Sequence, residues 1–110
     1  MATHKILYTQ AALDDLDAIF DYVAIEDVAA ARKLLSRCEQ KIERLAEEPY
    51  SGAAIAMDGP ELIAPGYRYV FVSPYLICYR VDGRAVHIGR ILHGRKDWVH
   101  LLFQSRIGER

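Results

Sequence analysis

A chain of 110 residues, 52% hydrophobic and 26% charged, can bury one modest core and is too short for a second domain, so residues 1–110 are read as a single unit. The formal charge of −1 hides a split: residues 1–60 hold 6 Lys and Arg against 11 Asp and Glu, and residues 61–110 hold 8 against 4. No run approaches the roughly 18 apolar residues that span a bilayer, and MATHKILYT is no signal peptide, so a cytoplasmic setting without membrane contact is expected.

Residues 4–8 (HKILY) form a short apolar segment that reads as a strand, and Thr9 after it is a natural helix N-cap. From residue 10 to about 25, Ala12, Leu13, Leu16, Ile19, Phe20 and Val23 recur at spacings of three and four and make one helical stripe. Asp14, Asp15, Asp17 and Asp21 fall mainly off it, the first two near the helix start, where the macrodipole favours negative charge. Asp27 can cap a second helix with Ala31, Leu34, Leu35, Cys38, Ile42 and Leu45 on its stripe, halted by Glu47, Glu48 and Pro49. Two helices joined so closely form an antiparallel hairpin, and their apolar faces need a sheet to cover them.

Residues 49–66 carry three Pro and three Gly without periodicity and read as a long loop. Residues 67–73 and 75–81 are rich in aromatic and branched residues and read as paired strands, with Tyr67, Tyr69 and Phe71 sharing one face of the first and Tyr75, Ile77, Tyr79 and Val81 sharing one face of the second, so core packing accounts for most of them. Asp82-Gly83 is a hairpin signal, after which residues 84–92 return as the last strand. Residues 99–107 are apolar, and their state is left unassigned. The expected fold is therefore α+β, ordered β-α-α-β-β-β, with a helical hairpin on a mostly antiparallel four-stranded sheet.

The chemistry concentrates after that last strand, where Arg90, His93, Arg95, Lys96 and Trp98 lie within nine residues; with Arg68 they are the candidate target-binding set, suited to a polyanionic or acidic surface. No metal or other cofactor is expected, because His4, His87, His93 and His100 lack ligand spacing. Cys38 and Cys78 sit in apolar patterns and are expected to be buried, reduced thiols. Nucleotide hydrolysis is not expected, because Gly52, Gly59 and Gly66 are too scattered to form a phosphate loop. Metal-free RNA cleavage stays open, with Arg90, His93 and Arg95 as acid, base and phosphate ligands, provided that the chain bends near residues 92–94 to bring Arg90 and His93 together.

The order of these pieces resembles the RelE/ParE toxin superfamily, and more closely its ParE branch. The resemblance rests on AALDDLDAIFDYVA in the first helix, KIERLAEEPYSG closing the second, and GYRYVFVSPYLICYRVDGRAVHIGRILHGRKDW at the end. It implies the toxin of a type II toxin–antitoxin pair of the plasmid-stabilising kind, neutralised by a ParD-like antitoxin. ParE-like members inhibit DNA gyrase, whereas RelE-like relatives are ribosome-dependent endoribonucleases that commonly carry a Tyr near the position of Trp98. The HGRKD pattern is similar to ParE, which implies a gyrase inhibitor rather than an enzyme and no sequence-specific DNA binding by this chain alone. A harmless interaction module of the same fold is the third alternative. A disordered antitoxin segment could fill the groove beside the hairpin as a helix and pair with an open sheet edge, with Tyr8, Leu13, Leu16, Phe20 and Leu34 as candidate antitoxin-binding residues.

Overall fold

The computed structural model describes residues 3–54 and 66–94. Strand β1 (Lys5–Tyr8) leads into helix α1 (Gln10–Ala24) and helix α2 (Val28–Glu47); β2 (Ala53–Ala54), β3 (Tyr67–Val72), β4 (Tyr75–Asp82) and β5 (Ala85–His93) follow. The strands form one sheet in the order β1-β5-β4-β3-β2, antiparallel except where β1 pairs with β5. The expected α+β order therefore holds with one strand more than the four anticipated: β2 lies inside the stretch read as loop. Two residues with Ala side chains carry no alternation that a pattern could reveal.

Both helices begin where their capping residues say they should. Thr9 accepts the Ala12 amide at 3.0 Å and Asp27 accepts the Ala30 amide at 3.0 Å, so each satisfies an N–H that the first helical turn leaves open. Ala12, Cys38, Ile42 and Leu45 from the hairpin pack against Val70, Val72, Tyr75, Ile77, Tyr79, Val86, Ile88 and Ile91 of the sheet. The Tyr residues divide by alternation: Tyr75 and Tyr79 join this core, while Tyr69 lies on the opposite face with Leu76, Cys78 and Leu92. Both cysteines are buried and free.

Two details of register matter for the site. The β4–β5 turn is centred one residue later than the Asp82-Gly83 expectation, because Asp82 pairs with Ala85, and Gly83 supplies a left-handed φ of 61°. Strict alternation along β5 would place Arg90 on the core side with Val86 and Ile88. Instead Cys78 pairs with Arg90 and Tyr79 with Ile88, leaving Gly89 as a bulge, so that Ile91 turns inward and Arg90 does not.

Candidate functional site

The end of β1 explains how Arg90 is held. Tyr8 is the last residue of β1 in register with β5, so β5 runs on with an edge that β1 no longer covers. Side chains of the next segment take over that edge: the Thr9 hydroxyl donates to the Gly89 carbonyl at 2.7 Å, and Asp15 Oδ2 accepts the Ile91 amide at 2.9 Å. The same Asp15 carboxylate grips Arg90, which donates from Nε to Oδ2 at 2.8 Å and from Nη2 to Oδ1 at 3.0 Å. This is a two-pronged guanidinium–carboxylate pair, largely shielded from solvent, and the bond from Asp15 raises the Arg90 pKa further. Asp15, which sequence reading treated as a helix-surface charge, is thus the residue that fixes the most central of the candidate cations.

His93 ends β5 and meets the Tyr75 ring edge-on, with centroids 5.6 Å apart at 81°. Arg68 lies on β3, two strands across the sheet. It donates from Nη1 to the Gly52 carbonyl at 2.7 Å and to the Tyr50 carbonyl at 3.3 Å, and its guanidinium stacks over the Tyr50 ring at 5.1 Å. His93 aligns with Tyr75 and Val72, four residues along β3 from Arg68, so the two are separated by roughly 13 Å along the strand and about 10 Å across it. The structure therefore does not bring Arg68 to the end of β5 with His93. Arg95, Lys96 and Trp98 lie outside the described residues.

The Arg68 site rests on a second anchor that the sequence did not disclose. Tyr79 is fully buried, and its hydroxyl donates to the Pro49 carbonyl at 2.8 Å while accepting the Gly52 amide at 2.9 Å. Burial raises the Tyr79 pKa, partly offset by the Gly52 bond and the nearby Arg68 charge. A β-carbon at Gly52 would overlap that hydroxyl and stand 2.7 Å from the Tyr69 carbonyl oxygen, so the PYSG turn is tied to the middle of the sheet and requires glycine there.

The candidate antitoxin-binding residues separate by exposure. Tyr8 and Leu13 are exposed, Leu16 and Leu34 are half-buried and packed on the main core, and Phe20 is half-buried. Tyr22 and Ile25, absent from that set, are 70% and 81% exposed near the end of α1, with Val28 exposed at the start of α2. Their polar neighbours in sequence gave no signal beyond the turn itself.

Residues 6–98 match the family model of the ParE toxin of the type II toxin–antitoxin system, parDE. The chain belongs to the ParE toxin family. Toxin ParE3 of Caulobacter vibrioides is 35% identical over 94 residues, covering 84% of this chain and 89% of that one. Toxin RelE2 of the same organism is 34% identical over 92 residues, covering 84% and 97%. Among solved structures, the chromosomal ParDE TA system from P. aeruginosa aligns with a TM-score of 0.66 at 26% identity, covering 83% of this chain and 96% of that one. As a member of this family, the chain is a toxin of a type II toxin–antitoxin system, and the relatives carry both branch names.

Proposed function

We propose that this protein acts in the cytoplasm as a non-enzymatic inhibitor of DNA gyrase and is neutralised by a ParD-like antitoxin. The observation that carries the reading is the Arg90–Asp15 pair. A metal-free ribonuclease needs a guanidinium able to reach a phosphate, with an acid or base aimed at the same centre. Arg90 is instead held by a carboxylate along two of its donors, and that pair is neutral as a unit. The match to the ParE family model favours gyrase over the ribosome.

The deciding experiment is a supercoiling assay with purified, folded protein, in which inhibition of gyrase is expected. Absence of inhibition at micromolar excess removes the reading. The RelE name of one close relative and the position of His93 at the strand end favour ribosome-dependent cleavage as the second reading. Toxin-dependent cuts in translated messages, abolished by His93→Ala, would establish it; harmless induction in cells lacking the antitoxin would leave an interaction module.

A further inference from the structure

The two candidate target-binding arginines within the described residues are both occupied: Arg68 donates to two backbone carbonyls, and Arg90 is clasped by Asp15. Uncommitted positive charge lies instead on helix α2. At about 100° per residue, Lys33, Arg37, Lys41 and Arg44 fall within roughly 80° of arc on one side of the buried stripe through Ala31, Cys38, Ile42 and Leu45. Glu39, Glu43 and Glu47 fall on the other side, so like charges are grouped along the helix rather than mixed. Among the described residues Lys33, Arg37 and Lys41 make no ion pair, and Arg44 meets Glu48 only at 3.9 Å with both side chains well exposed, a contact of little strength.

This flank is also a shaped surface. Arg37, Gln40, Lys41 and Arg44 line a groove of about 270 Å³ whose other wall is Phe71 and Val72 of β3, and Phe71 is 54% exposed. A hollow of about 160 Å³ continues it past Lys41 and Arg44 to Ser51. From Lys33 to Arg44 the helix rises about 16 Å, a length over which a DNA duplex carries on the order of ten phosphates. The neighbouring helix has the opposite character: α1 contains no Lys or Arg, and Asp14, Asp17 and Asp21 are exposed on it. With a net charge of only −1, the molecule draws a polyanion to one flank and turns it away from the rest of the hairpin.

We propose that the basic flank of α2 holds the sugar–phosphate backbone of the DNA on which gyrase acts, so that the toxin touches enzyme and duplex at once. Arg37, Lys41 and Arg44 meet phosphates, the Gln40 amide donates beside them, and Phe71 and Val72 give the deoxyriboses an apolar wall. This rests on the gyrase reading and deepens it by making the nucleic acid a second contact. A duplex presents its charge already ordered, one negative charge per about 1.7 Å of axis, which suits a row of cations fixed on a rigid helix. So few phosphate contacts, opposed by the acids of α1, hold free DNA weakly, and the flank acts where gyrase already presents the duplex. Phosphate contacts carry no sequence information, so the contact follows gyrase rather than any particular DNA site.

The test titrates the labelled full chain with reconstituted gyrase, with and without a linear DNA duplex, alongside R37Q/K41Q/R44Q and K5Q/R32Q/R84Q; circular dichroism and melting verify that both variants fold. Each triple removes three positive charges, the first from the flank and the second from exposed positions off it. The unaltered protein is expected to bind gyrase more tightly when DNA is present, and that gain should shrink about fortyfold between roughly 50 and 200 mM salt, as three phosphate contacts dictate. R37Q/K41Q/R44Q should keep its affinity for gyrase alone, lose the gain, and inhibit supercoiling about tenfold less well, while K5Q/R32Q/R84Q keeps both properties. Exchanging the duplex for one of another sequence should change nothing. Equal affinity with and without DNA, or equal losses from the two triples, overturns the DNA contact and leaves the gyrase reading standing, since supercoiling is still inhibited by the unaltered chain. If the unaltered chain neither binds gyrase nor inhibits supercoiling, the reading and the contact fall together.

Discussion

One carboxylate, that of Asp15, satisfies the Ile91 amide and neutralises Arg90, so helix α1 and strand β5 are joined by charge as well as by packing. With the two side chains only 16% and 21% exposed, removing one partner leaves the other poorly solvated. Asp15→Asn is expected to destabilise the fold by about 1–3 kcal/mol in urea denaturation, and a double-mutant cycle with Arg90→Met should return a coupling of about 1 kcal/mol or more. A coupling near zero would show Arg90 free to serve elsewhere. Tyr79→Phe poses a simpler question, since it keeps the ring and deletes the hydroxyl between Gly52 and Pro49. Two buried backbone groups lose their partner, and a loss of about 1–3 kcal/mol is expected. Fluorescence-monitored unfolding showing no change would mean that water replaces the hydroxyl at no cost.

Elements whose signal is local were legible from the chain. Thr9 and Asp27 marked both helix starts because a capping hydroxyl or carboxylate acts within three residues, and the Ala31, Cys38, Ile42 and Leu45 stripe marked the face of α2 that meets the sheet. What escaped depends on partners far apart in sequence. The Gly89 bulge is defined only against Cys78 and Tyr79, β2 only against Arg68 and Tyr69, and Asp15 acquires its role 75 residues away. Thr9 combines both kinds of information: it caps α1 and also donates to the Gly89 carbonyl beside the bulge. Thr9→Ala should therefore cost more than Asp27→Ala, about 2 against about 1 kcal/mol by equilibrium unfolding, because only the first removes a long-range bond. Equal losses would show that the link to β5 adds nothing.

Across the whole molecule, the acids buried in both layers set an alkaline limit. Burial pushes the Cys38 thiol up, and it pushes Cys78 from an ordinary 9.0 to about 12, with Arg90 pulling it down and Asp15 raising it by smaller amounts. The Tyr79 hydroxyl is raised by burial as well, and that of Tyr8, at the surface, is raised by partial desolvation and then by the charges of Glu39 and Glu43. A group whose folded pKa is raised binds its proton more tightly in the native state, so its contribution is intact below the unfolded value and is lost as pH climbs toward the folded one. For Cys78 the loss runs from pH 9.0 toward about 12, at up to roughly 1.4 kcal/mol per pH unit. The melting temperature should fall steeply above pH 9.0, and Cys78→Ala should flatten that fall despite its lower starting value, because it removes one titrating group. In the same samples a disulfide-exchange reagent at about pH 8 should leave both thiols untouched until denaturant opens the core, since only the thiolate reacts. Rapid labelling of folded protein, or a melting temperature flat through the alkaline range, would mean that the sheet opens far more readily than its packing implies.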